Sequence, residues 1–278
     1  MKKTVDQKNA SAGGRRLWIF DFDGTLSQLV EKRSAAILHP EAKRMLLDLK
    51  ADPSNEVAIL SSRNLNDLCE RFAMSGMYLG GGSGTEWRTP EECRITLGDE
   101  GERRLQASRE NLLKELQQMA MLPGVSLEDK NWSVALHLRK AGPTHKNQLL
   151  AKMELLRQSQ ELAYTQGHEV VEVQFLPEVN KEFGVRLLCR FLKFDPARDV
   201  IFYAGDDEND AIAMRWVTGL GGTAITVGEH PLVPGTAAVA DPASLAALVR
   251  TLARLDEQKN LRAAKGKRTP RNSTARSS

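Results

Sequence analysis

LWIFDFDGT, residues 17–25, is the stretch that decides the fold. Four apolar residues run without alternation and end at two aspartates flanking a phenylalanine, with glycine behind them. An unbroken apolar run bounded by turn residues reads as a strand buried on both faces, the pattern of parallel sheets. VAILSSR (57–63) and MYLGGGSG (77–84) are two further runs of this kind. Between the three lie PEAKRMLLDLKAD (40–52) and NLNDLCERF (64–72), whose apolar residues have helical spacing, with Asn64 or Asn66 available as an N-cap. Strand and helix alternate, which predicts an α/β fold with a doubly wound, Rossmann-like parallel-sheet core.

Residues 85–178 break the alternation. EWRTPEECRITLG (86–98) reads as a hairpin, 101–121 as a long amphipathic helix, and 144–165 as a second helix. HEVVEVQFLP (168–177) closes the segment as a strand. LEDKNWSVALHLRK (127–140) reads as a strand with two unlike faces. Trp132, Val134, Leu136 and Leu138 alternate with Asn131, Ser133, Ala135, His137 and Arg139. By that parity Glu128 and Lys130 fall on the apolar side, so either the strand starts after Lys130, leaving both residues in a loop, which is the expectation, or a bulge near Asn131 switches the faces. This is an α+β insert. The βα pattern then resumes with KEFGVRLLCRFLKF (181–194), VIFYAG (200–205), DENDAIAMRWV (207–217), TAITVG (223–228) and PASLAALVRTLARL (242–255). The expected organisation is a core of 17–84 and 179–258, an inserted subdomain of 85–178, and two tails, 1–16 and 259–278.

The net charge of +3 hides a division. Residues 1–16 hold five Lys/Arg and one acid, residues 259–278 hold seven Lys/Arg and none, and the body between them carries −8. Both tails are poor in large apolar residues, which predicts disorder. A basic tail can bind nucleic acid through counterion release, but solubilisation is the simpler expectation for this composition. No apolar run approaches the roughly 20 residues that span a bilayer. The lysines near the start have no apolar segment behind them, unlike a secretory signal. Cys69, Cys93 and Cys189 are odd in number and widely spaced. A disulfide framework or zinc site is therefore not expected, and a cytoplasmic location fits.

Open parallel sheets place their sites beyond the C-terminal ends of the strands. After LWIF come Asp21 and Asp23; after VAIL come Ser61 and Arg63; after VIFYAG come Asp206, Asp207 and Asp210. Lys181 starts the helix that precedes the last of these strands. Carboxylates gathered at one sheet edge repel one another unless a cation lies among them, and an all-oxygen donor set suits Mg²⁺. Asp21 and Asp206 can supply carboxylates, and the backbone carbonyl of Asp23 a third ligand. Lys181 adds fixed positive charge and Ser61 a hydroxyl donor. Such a set can neutralise a phosphoryl group while a carboxylate attacks it. Each element alone has an ordinary reading: a loop, a solvated lysine, or an aspartate capping its helix. Their ordered recurrence at strand ends carries the signal.

Taken together, WIFDFDGTL, ILSSR, Lys181 and AGDDEND resemble the four motifs of the haloacid dehalogenase-like phosphatase superfamily, over about Leu17 to Leu255. The resemblance implies Asp21 as the nucleophile that becomes an aspartyl phosphate and Asp23 as general acid/base. It implies phosphoryl binding by Ser61 and Lys181, and Mg²⁺ binding through Asp206, with Asp207 or Asp210 ligating or orienting the site. It makes the insert a C2-type cap that selects the substrate. Within the superfamily the chain looks like the trehalose-6-phosphate phosphatases, which implies substrate contacts by Arg63, Glu128, Lys130, His137, Arg139 and Glu172. Ser133 also fits that family's cap pattern. The departures are Ser62 for the family's glycine, Ser83-Gly84 for His-Gly, Lys181-Glu182 for Lys-Gly, and Glu208-Asn209-Asp210 after the aspartate pair. The last is more like sucrose- and mannosyl-phosphoglycerate-type phosphatases, which are the alternative reading. A third reading is a non-catalytic partner of a glycosyltransferase.

Overall fold

The computed structural model describes residues 14–30, 35–159, 163–167 and 169–266. In chain order the elements are β1 Arg16–Phe20, α1 Pro40–Ala51, β2 Asn55–Leu60, α2 Leu65–Arg71, β3 Tyr78–Gly81, β4 Glu86–Arg88 and β5 Arg94–Ile95. Then come α3 Gly98–Met119, β6 Ser126–Asp129, β7 Ser133–His137, α4 Pro143–Ser159, β8 Ala163–Gly167 and β9 Val170–Gln174. The chain ends with α5 Lys181–Leu192, β10 Val200–Gly205, α6 Glu208–Gly219, β11 Thr223–Val227, β12 Ala237–Val239 and α7 Pro242–Gly266.

Every residue of β1 is buried, as its unbroken apolar run requires. Strand alternation sends its side chains to two layers. Trp18 and Phe20 pack with α1, α2 and α7, and Trp18 stacks on Phe202 at 3.7 Å between ring centroids. Leu17 and Ile19 pack on the other side with Val185 and Leu188 of α5 and Met214 of α6. Each such side chain contributes roughly 1.5–3 kcal/mol by leaving water, so helices on both faces hold this strand at the centre. The sheet order is β12-β11-β10-β1-β2-β3-β4-β5, parallel from β12 to β3 and antiparallel beyond it. The chain moves outward from β1 in one direction through β2 and β3, and in the other through β10 and β11. The order reverses at β1/β10, and side chains at that crevice converge. In register, Phe20 pairs with both Ala204 and Ile59, so Asp21, Asp206 and Ser61 emerge at one edge.

A second sheet, β6-β7-β9-β8, is antiparallel and carries α3 and α4 on one face. Its core is Leu105, Leu112 and Leu116 of α3, Leu149 and Met153 of α4, and Val134, Leu136, Val171 and Val173 from the strands.

Four expectations change. The hairpin of 86–98, expected within the insert, pairs with β3 and extends the large sheet, because Trp87 is fully buried in the α5-side layer of that sheet. The helix expected over 144–165 ends at Ser159, and Ala163–Gly167 instead covers the free edge of β9. LEDKNWSVALHLRK is a β-hairpin: β7 does start after Lys130, but Glu128, expected in a loop, lies in β6. Lys130 N–H donates to Ser133 O at 2.9 Å, and Asn131 turns the chain at φ 73°; asparagine tolerates that conformation better than most residues. Finally, the tails are partly ordered. Arg16 belongs to β1 and pairs with Asp52, and Arg15 binds Asp199 at 2.9 Å. Residues 259–266 continue α7, while 1–13 and 267–278 lie outside the described residues. No helix among the described residues is long and apolar enough to cross a membrane.

Candidate active site

Four side chains from three segments meet at the reversal point. Asp21 follows β1, with its backbone N–H held by Ala204 O at 2.9 Å. Asp206 follows β10, Asp210 lies in the first turn of α6, and Lys181 opens α5 behind Asn180, whose side chain caps the helix at Phe183 N–H. Lys181 Nζ donates to Asp21 Oδ1 at 2.7 Å and to Asp210 Oδ1 at 2.6 Å. Lys181 and Asp21 are each 3% exposed, and Asp210 is fully enclosed. A buried ammonium is tolerated only with such partners. Burial works against its charge, but the two carboxylates hold Lys181 protonated well above the ordinary lysine range.

The carboxylates outnumber the cation. Burial first, and then their mutual repulsion, push Asp21 and Asp206 up to about 7 and Asp210 up to about 8, although Lys181 opposes this. Oxygens of Asp21, Asp206 and Asp210 lie within 4.8 Å of one another. Hard oxygen donors carrying surplus negative charge at this spacing are a donor set for Mg²⁺, which would relieve the repulsion that now favours protons. Asp207 behaves differently. It caps α6, accepting from the N–H groups of Asn209 and Asp210, and these bonds with Lys181 hold it below the usual carboxylate range despite burial. Its structural duty leaves Asp210 as the third carboxylate.

Asp23 is placed by Arg63. Nε and Nη2 of Arg63 each donate to one oxygen of Asp23 at 2.7 Å, a bidentate grip. Arg63 is itself buried, so its guanidinium, expected to meet substrate, is turned onto Asp23 and Asp67. Ser61 is fully buried at the end of β2, and its Oγ accepts from Arg63 N–H at 3.2 Å. The glycine-rich turn after β3 supports this segment. Gly82 N–H donates to Arg63 O at 2.6 Å and Ser83 N–H to Ser61 O at 2.9 Å. Two glycines are required by contact. At φ +79° Gly24 lies so close to Asp206 that a Cβ would sit 2.0 Å from its Oδ2. At φ +89° Gly84 abuts Gly184, where a Cβ would meet the Gly184 Cα at 2.3 Å, so the turn and the helix of Lys181 are in backbone contact.

The small sheet contributes a polar face. Opposed residues of an antiparallel pair share a face, and the pairs Ser126–His137, Glu128–Ala135, Ala135–Glu172 and Ser133–Gln174 set this one. The turn at Asn131 thus reverses the parity assumed for a single strand, and Glu128, Lys130, Ser133, His137 and Glu172 lie together. Lys130 Nζ binds Glu172 at 3.0 Å, Ser133 Oγ donates to Glu172 at 2.8 Å, and His137 Nε2 lies 2.9 Å from Glu128. Arg139 is set apart, with a side chain 78% exposed and 3.5 Å from Glu169. A cavity of ≈ 650 Å³ covers this face, lined by Glu128, Lys130, His137, Arg139 and Glu172. A second, of ≈ 470 Å³, lies between α2 and the β6–β7 turn, and Lys130 lines both. Neither of the two includes Asp21, Lys181, Asp206 or Asp210.

Two contributors escaped the sequence reading. Tyr203 donates from its hydroxyl to Asp210 Oδ1 at 2.6 Å; its signal was a polar group inside an otherwise apolar buried strand. Asp67 accepts from Arg63 Nη1 at 2.5 Å, and its signal was the i, i+4 spacing from Arg63.

A doubly wound core with a carboxylate–lysine centre at its reversal point, and an α+β unit inserted before the lysine, give this chain the layout of the capped haloacid dehalogenase-like phosphatases. Within that class the chain belongs to the trehalose-phosphatase family, whose model matches residues 19–240. The trehalose-phosphate phosphatase of Mycobacterium tuberculosis H37Rv is 33% identical over 211 residues, covering 75% of this chain and 52% of that protein. The chain spans about half the length of the curated relatives it matches. Among solved structures, Aspergillus fumigatus trehalose-6-phosphate phosphatase aligns with TM-score 0.60 and 25% identity, covering 86% of this chain and 92% of that one. The sucrose-phosphatase of Synechocystis sp. PCC6803 aligns with TM-score 0.57 and 16% identity, covering 87% and 98%, and shares the fold.

Proposed function

We propose that this chain is a Mg²⁺-dependent phosphoric monoester hydrolase that converts trehalose 6-phosphate to trehalose and phosphate through an aspartyl phosphate on Asp21. The observation that carries the reading is the placement of one buried ammonium between Asp21 and Asp210 beside Asp206, in a chain of this family. Asp21 attacks phosphorus, and the new P–O bond forms as the bond to the sugar oxygen breaks. Asp23 gives that oxygen its proton. Asp23 then takes a proton from water, which attacks the aspartyl phosphate and regenerates the Asp21 carboxylate. Lys181 and Ser61 supply donors to the phosphoryl oxygens, which is electrostatic stabilisation of developing charge. Asp21, Asp206, Asp210 and the Asp23 carbonyl would hold Mg²⁺, which neutralises phosphoryl charge when bound.

The unit built on β6–β9, α3 and α4 acts as the cap. Its polar face mixes carboxylates, a histidine and a lysine, the donors and acceptors that sugar hydroxyls require. Glu128, Lys130, His137 and Glu172 contact the sugar on closure, whereas Arg139 stays at the rim. The reading of a non-catalytic glycosyltransferase partner is disfavoured because the whole acid, base, lysine and carboxylate set is present in bonded geometry.

Release of inorganic phosphate across a panel of phosphorylated mono- and disaccharides with Mg²⁺ tests the proposal. Trehalose 6-phosphate is expected to lead the panel, and Asp21→Asn to abolish turnover with an unchanged circular dichroism spectrum. A preference for a monosaccharide phosphate or for sucrose phosphate reassigns the sugar. Full activity of the Asp21→Asn protein removes the mechanism.

A further inference from the structure

Asp23 is not the end of the chain of bonds that starts at the site. Arg63 holds both Asp23 oxygens through Nε and Nη2, and its remaining nitrogen, Nη1, donates to Asp67 Oδ2 at 2.5 Å. Asp67 in turn receives Nε of Arg71 on its other oxygen at 2.9 Å. The four groups alternate in sign from the sheet edge to the side of α2. The local sequence builds this outer end. Asn64 caps α2 by accepting from the Asp67 N–H at 2.8 Å, which fixes Asp67 in the first helical turn. Arg63 and Arg71 then stand four residues before and after it. A guanidinium is a rigid planar fork, so a carboxylate at one nitrogen sets the direction in which the other two point. Only 2% of the Arg63 side chain is exposed, whereas 28% of Asp67 is, so the buried grip on Asp23 is oriented from an accessible residue.

We propose that Asp67 is a positioning residue that acts through Arg63 to aim the Asp23 carboxylate at the water that hydrolyses the aspartyl phosphate. The inference rests on the phosphatase reading above. Its chemistry separates the two half-reactions. Arg63 fixes both Asp23 oxygens in place, and it is in the second step that Asp23 must meet a water molecule and take its proton. An aryl ester such as p-nitrophenyl phosphate needs little help in the first step, because p-nitrophenolate leaves without a proton. Loosening the brace therefore slows the second step while the first continues, and the phosphorylated enzyme accumulates.

Rapid mixing of p-nitrophenyl phosphate with the full-length protein and Mg²⁺ tests this directly. Asp67→Asn is expected to lower the steady-state rate about tenfold, a fraction of the roughly 10²–10⁴-fold that acid–base catalysis contributes, and to show a burst of p-nitrophenolate larger than the wild type's. Asp67→Glu is expected to restore the steady-state rate in part and shrink the burst. Glu154→Gln, the same chemical change at an exposed cap position, is expected to behave as wild type. If Asp67→Asn is poorly folded, Arg71→Gln, which removes the outer brace alone, is expected to show the same burst with a smaller loss of rate. A folded Asp67→Asn protein with no added burst overturns the inference, because a merely structural defect lowers both steps together. Wild-type protein that releases no p-nitrophenolate and no phosphate from any sugar ester removes the phosphatase reading itself, and the inference with it.

Discussion

The edge of the large sheet and the polar face of the small one both gather charged side chains, yet they do so in opposite ways. At the sheet edge the carboxylates of Asp21 and Asp210 share one buried ammonium, and Asp23 is held at both oxygens by a buried guanidinium. On the small sheet Glu128 and His137 pair with each other while nearly half exposed, and only Lys130 with Glu172 is withdrawn from water. A group that must attack one phosphorus atom has to be immobile before substrate arrives, since misplacement is costly in rate. A group that recognises hydroxyls can exchange a neighbour or water for substrate, because those bonds are of similar strength. On the proposed function the two regions divide chemistry from selection.

Substitutions that remove one charge from each region are the way to break this contrast. The largest effect is expected from Lys181→Met. It leaves Asp21, Asp206 and Asp210 facing one another with no ammonium between them, so turnover is lost and stability in EDTA falls by about 3–5 kcal/mol, the usual consequence of removing one partner from a buried pair. Urea denaturation with EDTA and with Mg²⁺ measures it, and a loss that Mg²⁺ does not reduce argues against cation binding there. Lys130→Ala comes next. On the proposed cap assignment it raises KM for the preferred sugar phosphate by about tenfold or more, the scale of a lost polar contact in a built site. Its rate on p-nitrophenyl phosphate stays within about twofold, and equal losses on both substrates would erase the division. Arg139→Ala is expected to do least. An exposed ion pair is worth at most about 1 kcal/mol, so melting temperature and KM should stay close to wild type, and a large rise in KM would return Arg139 to the substrate site.

These contrasts also explain what could be read in advance. LWIF and VIFYAG had to be buried strands, because unbroken apolar runs of that length have no other stable place in an α/β chain, and Asp21 and Asp206 follow them directly. The site at the sheet edge was legible because chain order and strand direction together fix which residues reach it. The polar face of the small sheet was not. Alternation along 127–140 puts Glu128 and Lys130 in a loop ahead of one strand, whereas the turn at Asn131, at positive φ, joins two strands and brings both residues onto the polar face. A chain-reversing turn restarts the count, so parity read on one side of it does not carry to the other. Hairpin 86–98 was misassigned for a similar reason: its pattern says that it pairs, and only the burial of Trp87 against the α5 layer decides with which sheet.

By itself the sequence determined the class of fold, the order of the strands' functional ends and the identity of the acidic and basic groups there. Those follow from local pattern and from the connection rules of parallel sheets. The tertiary structure alone decided how the groups are shared. It put Asp210 rather than Asp207 beside Asp21 and Asp206, turned Arg63 onto Asp23, and brought Tyr203 and Asp67 into contact with the site. The reason is physical. Which donor meets which acceptor depends on distances between segments far apart in the chain, and burial makes every unpaired group costly enough that one arrangement prevails.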